Sequence, residues 1–401
     1  MPNADTPFLG LAPFLRMSLA GTDLKPVANA MLDSTQAHSH DAALWLNLAT
    51  VMLCLGQRAL GLDLQAQALA LRRDYVLAAA HQPARLRLLL LMVPGDLSAN
   101  MPLDCLLEGS DIDLVFYYLP PGQSLTLTLP LPEHDALMVA MSEGDDNLAI
   151  LQNLAQTLAQ WPCPVINAPQ HIHSTGRAFA SVLLQGIPGL AMPPTLRRLR
   201  SELTAISTGA AAPAAALDGC DWPIIVRPLG AHGGHGLAKI STPDELAQYL
   251  NASSDDAFYV SRFIDYRGAD GYFRKIRIAL IDGRPYACHM AVSSHWMIHY
   301  VNAGMYEDAW KRQEELEFLT DFDDFVQRHH VALTAIARQT QLDYVCMDCA
   351  QTQSGELLIF EIDHAMVVHA MDTEAQFPYK QMYMQKVRDA FRAFLLRVCK
   401  K

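Results

Sequence analysis

Three acidic residues near the end of the chain have the types and spacing of metal ligands. They lie in LDYVCMDCAQTQSGELLIFEIDH, residues 342–364, which reads as two strands around a Ser-Gly turn. Side chains alternate between the two faces of a strand, so Glu361 and Asp363 share one face, and Asp348 can join them across the hairpin. Three carboxylates on one wall repel each other unless a cation lies between them, and oxygen ligands suit Mg²⁺. The pattern predicts a Mg²⁺ site. The alternative is a solvated strand face, which the apolar flanking residues disfavour.

A glycine-rich segment could bind phosphate. PIIVRPLGAHGGHGLAK, residues 223–239, combines an apolar strand and the cation of Arg227 with a loop that contains Gly230, His232, Gly233, Gly234 and Gly236. Glycines let backbone N–H groups approach phosphoryl oxygens, and a guanidinium can contact them in a bidentate manner. The loop lacks the GxxxxGK[ST] pattern of a Walker motif. A glycine-rich hairpin turn without a ligand is the alternative interpretation.

Cys346 and Cys349 form a CxxC pair next to the acidic residues. Strand positions three apart point to opposite faces, and no second cysteine pair follows, so zinc is disfavoured. The other cysteines are dispersed, and the eight thiols of the chain are expected to be reduced.

Composition limits the classes of partner. The 401 residues are 51% hydrophobic and 18% charged, which predicts a globular chain of two or three domains. The net charge of −12 predicts no nucleic-acid partner unless basic residues gather in one cleft. The first residues lack the basic start of a signal or transit peptide, and no apolar run approaches the ~20 residues that cross a bilayer. We therefore expect a cytoplasmic protein with no membrane partner.

The first part of the chain is predicted to be helical. Residues 41–75 carry apolar residues at helical spacing on both sides of Gly56, which predicts a helical hairpin similar to one tetratricopeptide-type unit. A single unit buries little surface, so it should dock on the next domain or on a second subunit. An ordinary all-α cap is the alternative.

Strands and helices alternate after Pro83, which predicts a doubly wound α/β lobe. The Ala/Pro/Gly-rich residues 207–219 predict a flexible loop or a lobe boundary. The chain is β-rich from Trp222, with a two-residue hairpin turn at Asp282-Gly283. A helix at about residues 321–340 precedes the acidic hairpin, and a helix over residues 378–398 ends the chain.

The glycine loop followed by the acidic hairpin resembles the ATP-grasp fold of carboxylate–amine ligases, over roughly residues 86–398. Ribosomal-protein glutamate ligases, glutathione synthetases and D-alanine–D-alanine ligases are of this type. PCPVINAPQHIHSTGRAFASVLLQG, WPIIVRPLGAHGGHG, FYVSRFID and FRKIRIALIDGRPYA are similar to its motifs. The resemblance implies nucleotide contacts from Arg177, Arg227, the glycine loop with His232, and the hinge residues Ser261, Arg262 and Phe263. It also implies catalytic roles for Arg277 and Asn302, and Mg²⁺ ligation by Asp348, Glu361 and Asp363.

Four positions depart from the family pattern. Arg177 and Arg227 stand where lysines are usual, Asp363 where Asn is common, and Arg262 where Glu is frequent. The first two keep the positive charge in a broader, flatter group. The last puts the usual hinge contacts in doubt.

The resemblance implies an α/β, ATP-grasp chain with four parts: a helical region (1–82), a doubly wound lobe (83–194), a small lobe with the glycine loop (195–265) and a C-terminal lobe (266–401). It implies an ADP-forming ligase that uses ATP and Mg²⁺ to join a small-molecule or peptide carboxylate to an amine through an acyl phosphate. A homo-oligomer is a further expectation. A non-catalytic ATP-binding scaffold that recruits a partner through its helices, or a kinase-like phosphotransferase, is the alternative function.

Overall fold

The structure of the protein, a computed structural model, describes residues 6–120, 127, 130–231 and 233–400. The elements are α1 (Ala12–Leu19), α2 (Lys25–Ala37), α3 (Ala42–Cys54), α4 (Arg58–Leu71), β1 (Asp74–Leu77), β2 (Leu86–Met92), α5 (Leu103–Leu106), β3 (Ile112–Tyr118), β4 (Ala136–Val139), α6 (Leu148–Leu158), β5 (Val165–Ile166), α7 (Pro169–Ile172), α8 (Arg177–Leu183), β6 (Leu190–Ala191), β7 (Thr195–Leu199), α9 (Arg200–Ser207), α10 (Pro213–Ala216), β8 (Ile224–Pro228), β9 (Ala238–Ile240), α11 (Pro243–Ala252), β10 (Ala257–Arg262), β11 (Phe273–Ile281), β12 (Arg284–Ser293), α12 (Ala309–Thr320), α13 (Phe322–Arg328), α14 (His330–Thr340), β13 (Tyr344–Gln351), β14 (Leu357–Asp363) and α15 (Lys380–Val398).

Helices α3 and α4 form the helical hairpin that the sequence predicts. The Asp41 side chain caps α3 by accepting hydrogen bonds from the N–H groups of Ala43 and Leu44, both at 3.1 Å. Leu46 of α3 and Leu69 of α4 belong to the same apolar cluster as residues of the first sheet. The hairpin therefore docks on the next lobe of its own chain, which is one of the two places expected for it.

The first sheet has the strand order β1-β3-β2-β4-β5. Strands β2, β3, β4 and β5 pair in parallel, and β1 adds an antiparallel edge. Alternate residues of β2 face two separate cores, Leu88 and Leu90 on one side and Leu89 and Leu91 on the other. This burial on both faces explains its continuous apolar run, and it is the predicted doubly wound lobe. Strand β1 lies within residues 1–82, a region predicted to be helical.

The second sheet forms the small lobe, with the antiparallel order β7-β10-β8-β9. Leu203 of α9 and Leu246 of α11 pack against its strands in one apolar cluster. Residues 207–219 do not mark a lobe boundary, because they contain α10 and place the buried Leu217 in this same cluster. They connect two elements of one lobe.

The third sheet positions the acidic hairpin, with the order β12-β11-β13-β14-β6. Asp282 and Gly283, both at positive φ, close the β11–β12 hairpin as predicted. In the β13–β14 pair, Asp348 lies directly opposite Glu361. The helix predicted over residues 321–340 is divided into α13 and α14 at His329.

The chain thus folds as an α/β protein, with a helical region, a doubly wound lobe and two α+β lobes in the predicted order. The residue boundaries assigned to these parts remain predictions. Within the described residues, no helix combines the length and apolar character needed to cross a membrane.

Candidate functional site

A cavity of about 270 Å³ lies where β8, β10 and the glycine loop face β11, β13 and β14. Its described lining contains an excess of positive charge, with five cationic side chains and two carboxylates. The cations are Arg177, Arg227, Arg262, Lys275 and Arg277, and the carboxylates are Asp348 and Glu361. A chain with a net charge of −12 therefore gathers basic residues in one cleft, which is the arrangement an anion requires.

Arg227 on β8 is the most deeply buried cation on the small-lobe side of this cavity. The residue is 8% exposed, and its guanidinium donates one hydrogen bond to the carbonyl of Ala231 in the glycine loop. Its Nε atom is buried with no hydrogen-bond partner among the described residues. Burial, followed by repulsion from Arg177, lowers the pKa of Arg227 to about 10. A buried cation with an unused donor is costly unless an anion completes it.

The glycine loop between β8 and β9 approaches the third sheet closely. Its four glycines all have positive φ, and Gly233 and Gly234 line the cavity, whereas Gly230 and Gly236 do not. A Cβ atom at Gly234 would lie 2.2 Å from Nε2 of His299, so a larger residue there would strain the backbone and force the His299 ring to move. His232 lies outside the described residues.

Arg177 and Glu361 form an ion pair across the cavity. Arg177 begins α8, and its Nη2 atom donates to Oε1 of Glu361 on β14. Burial alone would raise the pKa of Glu361, but Arg177 holds it below its ordinary value. Glu361 is therefore ionised at neutral pH, with a cation as its partner.

Asp348 is paired with two cations on β11. Nε of Arg277 lies 2.7 Å from Oδ1 of Asp348, and Nζ of Lys275 lies 2.7 Å from Oδ2. Burial alone would raise the pKa of Asp348, but Arg277 and Lys275 hold it well below its ordinary value. Lys275 and Arg277 are two residues apart and so project from the same face of β11.

The predicted Mg²⁺ ligands differ in position. The oxygen donors of Asp348 and Glu361 have the right chemistry and oppose each other, but both carboxylates are already engaged by Lys275, Arg277 and Arg177. Asp363 does not line the cavity, and it accepts a hydrogen bond from the Ala365 N–H at 2.8 Å. In the described part of the chain, no three His, Cys, Asp or Glu side chains gather to hold a metal ion. As arranged, these residues do not fit a three-carboxylate Mg²⁺ site.

The predicted hinge residues lie at the other end of the cavity. Ser261, Arg262 and Phe263 all line it, and the Phe263 ring contacts the indole of Trp296 edge to face. The N–H of Phe263 donates to the carbonyl of Pro223 at 3.0 Å, so this donor is already used. Four of the five cations surround Asp348 and Glu361 at the cationic end of the cavity, whereas Arg262 lies with Phe263 and Trp296 at the aromatic end. This division suits a ligand with phosphates and a flat ring.

Asn302 is a further predicted residue that lies outside the cavity, and two basic residues that line the cavity were not predicted. Asn302 is exposed, lines neither this cavity nor the neighbouring one, and accepts the His299 N–H at 2.8 Å. Lys275 and His299 both line the cavity. The alternation of β11 could have identified Lys275, because it shares a face with Arg277. No sequence signal distinguishes His299.

No protein-family model matches the chain, and no curated protein matches it. Solved structures do match it. The chain is similar to ATP-grasp ligases. A D-alanine–D-alanine ligase from Bacillus anthracis, crystallised with ATP, is 14% identical with a TM-score of 0.44, over 79% of this chain and 98% of that one.

Two further structures extend this ATP-grasp similarity. The ATP-grasp ligase PsnB, complexed with the precursor peptide PsnA2 and AMPPNP, is 12% identical with a TM-score of 0.41, over 78% of this chain and 99% of that one. A RimK domain ATP-grasp protein from Sphaerobacter thermophilus is 12% identical with a TM-score of 0.40, over 79% of this chain and 100% of that one.

Proposed function

We propose that the protein is an ATP-dependent carboxylate–amine ligase that forms an amide or peptide bond and releases ADP and phosphate. ATP binds in the 270 Å³ cavity, with its phosphates at the cationic end and its adenine at the aromatic end. The residues assigned to the phosphates are Arg177, Arg227, Lys275, Arg277 and the backbone of Gly233 and Gly234.

The observation that carries this proposal is the incomplete bonding of Arg227. Its guanidinium is buried beside a second arginine and leaves one buried donor unused. Phosphoryl oxygens supply both negative charge and hydrogen-bond acceptors, so a polyphosphate removes two unfavourable features at once.

The chemistry needs charge stabilisation more than covalent catalysis. An oxygen of the acceptor carboxylate attacks the γ-phosphorus, the bond from that phosphorus to the bridging oxygen breaks, and ADP leaves. An amine then attacks the acyl carbon, loses a proton, and displaces phosphate. Negative charge develops on the phosphoryl oxygens during the first step, and preorganised cations such as Arg277 and Lys275 stabilise it.

We assign no step to Mg²⁺. Two of the carboxylates that were predicted to bind it, Asp348 and Glu361, form ion pairs with lysine and arginine instead. A role for Mg²⁺ stays a prediction to be tested. The four cations around Asp348 and Glu361 can neutralise phosphate charge directly.

The test is ADP release from ATP with a panel of amino acids, dipeptides and other carboxylates, each with and without hydroxylamine. A ligase releases ADP in the presence of one class of carboxylate and yields the corresponding hydroxamate, because hydroxylamine captures the acyl phosphate. A phosphotransferase releases ADP without a hydroxamate. ATP binding without any ADP release supports the scaffold instead, and absence of ATP binding contradicts the whole assignment.

A further inference from the structure

A second cavity of about 180 Å³ adjoins the proposed ATP cavity. The two cavities share Lys275, Arg277, Ile298 and His299 in their described linings. A ligand in the second cavity would therefore meet the cationic end of the first, where the phosphates are assigned.

Lys380 supplies a further cation to the second cavity. Its Nζ atom lies 3.0 Å from Oδ2 of Asp372 and 2.5 Å from the hydroxyl of Tyr300. The hydroxyl of Tyr306 donates to the other oxygen of Asp372 at 3.0 Å. Both oxygens of the only carboxylate in the described lining of this cavity are thus occupied.

Two histidines add hydrogen-bonding capacity without charge. Nδ1 of His369 accepts the N–H of Met371 at 3.2 Å, so the neutral ring carries its proton on Nε2 and can donate from there. Burial lowers the pKa of His369 to about 4, and the ring is neutral at pH 7. Nε2 of His299 is buried with no partner among the described residues. In the described lining, three cations, Lys275, Arg277 and Lys380, face one carboxylate, and this surplus of positive charge suits an anion.

One wall of the second cavity comes from the N-terminal helical region. Leu19, the last residue of α1, lines the cavity, and α1 packs against Met371. The helix is held in place because the N–H groups of Leu11 and Ala12 both donate to Oδ2 of the buried Asp104, at 2.6 Å and 2.8 Å. The size of the cavity therefore depends on a helix that precedes all three sheets.

We propose that the second cavity binds the acceptor carboxylate and that Leu19 of α1 limits this acceptor to about the size of a single amino acid. The description of the ligand as an acceptor rests on the proposed ligase function, whereas the anion site rests on its own lining. The space of 180 Å³ is smaller than the 270 Å³ assigned to ATP, so it suits an acceptor smaller than the nucleotide. The helical region thereby becomes a determinant of specificity, in addition to packing against the fold.

The experiment measures direct binding of carboxylates to the full chain by calorimetry, with a non-hydrolysable ATP analogue present. The panel contains the common amino acids and straight-chain mono- and dicarboxylates of increasing length. Leu19→Trp fills the cavity and should weaken binding of the best small carboxylate by about tenfold or more, with affinity for the analogue unchanged. Leu19→Ala should extend binding to longer members of the series.

Leu15→Ala is the matched control, because Leu15 lies in the same helix and apolar cluster but does not line the cavity. It should keep the size limit of the natural protein. His369→Leu, which removes a donor without adding bulk near α1, serves if Leu19→Trp does not fold. This variant should also weaken carboxylate binding and leave nucleotide binding intact.

The proposal is overturned if no carboxylate of the panel binds. It is also overturned if Leu19→Ala selects the same lengths as Leu15→Ala, or if Leu19→Trp, or His369→Leu in its place, binds the small carboxylate as tightly as the natural protein does. Carboxylate binding that depends on Leu19, without any ADP release, supports the anion site and contradicts the ligase. The failures of the two proposals are therefore distinguishable.

Discussion

At the scale of single residues, the hydrogen bonding of Arg227 is incomplete. The guanidinium is buried against the glycine loop and near Arg177, and one of its donors is unused. Replacing it with methionine keeps much of the side-chain volume and removes the charge. We expect Arg227→Met to weaken ATP binding by about tenfold or more, since a charged hydrogen bond contributes roughly 1.5–3 kcal/mol. Calorimetric titration with ATP measures this, with the exposed Arg284→Gln as control; equal affinity in all three proteins would remove Arg227 from the phosphate site.

Glu361 is either the ion-pair partner of Arg177 or a Mg²⁺ ligand in the ATP complex, and a variant distinguishes the two roles. As the partner of Arg177, it competes with phosphate for that guanidinium. In that case Glu361→Gln should bind ATP about threefold to tenfold more tightly in EDTA, because the competing charge is gone. If Glu361 instead binds Mg²⁺, Glu361→Gln should leave the affinity for metal-free ATP unchanged. The variant should also lose the effect of added Mg²⁺ on ATP binding. Titration of ATP with and without Mg²⁺ distinguishes the two, and the exposed Glu374→Gln should behave as the natural protein.

Asp348 is expected to stabilise the folded chain through Lys275 and Arg277. Removing one partner of a buried ion pair costs about 3–5 kcal/mol, so Asp348→Asn should lower the free energy of unfolding by that order. The folded-state pKa of Asp348 is lowered, so its contribution is fully present above the ordinary value of 3.8 and is lost as the pH falls below it. Urea unfolding of both proteins from pH 7 to pH 3 measures the difference. A difference that grows as the pH falls, or an equal loss in the exposed Asp33→Asn, would contradict this role.

At the scale of elements, the glycine loop and the segment after β12 restrict each other. Gly234 has a φ of +75° and faces Nε2 of His299, whereas Gly209 has the same φ with nothing within 4 Å of its Cβ position. Gly234→Ala should therefore weaken ATP binding by about tenfold or more, while Gly209→Ala, which carries only the backbone strain, should bind ATP normally.

The same contact predicts a partial rescue. His299→Ala removes the ring that a Cβ at Gly234 would strike, so the double variant should bind ATP better than Gly234→Ala alone. Fluorescence titration with a labelled ATP analogue compares the proteins. Equal binding by Gly234→Ala and Gly209→Ala would contradict a close approach of the loop to His299.

Regular strands explain which parts of the site could be predicted. Alternation and a short turn place Asp348 opposite Glu361, and the structure has that register. The same reasoning finds the Asp282-Gly283 hairpin. It does not find His299 or place Asn302, because both lie in the connection between β12 and α12, where Tyr300–Asn302 form one turn of 3-10 helix. The path of this connection depends on contacts with α12, α15 and the glycine loop. The cationic partners of the acidic residues also depend on how separate lobes meet.

At the scale of the whole molecule, an acidic protein encloses a basic cleft. The net charge is −12, while five cations face two carboxylates in the described lining of the first cavity. The helical region is part of the same packed structure, since α3 and α4 share a core with the first sheet and α1 contributes Leu19 to the lining of the second cavity. The order of the lobes thus brings the proposed nucleotide site, the proposed acceptor site and the helical region to one place.

In the proposed ligase, the γ-phosphoryl group of ATP is transferred to an oxygen of the acceptor carboxylate before the amide bond forms. The most direct measurement follows ¹⁸O from the labelled carboxylate that best stimulates ADP release, in the presence of an amine. The ligase mechanism predicts one ¹⁸O atom in each phosphate released, because the bridging oxygen of an acyl phosphate comes from the carboxylate and leaves with the phosphorus. Phosphate that contains no ¹⁸O, or a panel in which no carboxylate stimulates ADP release, would contradict the ligase.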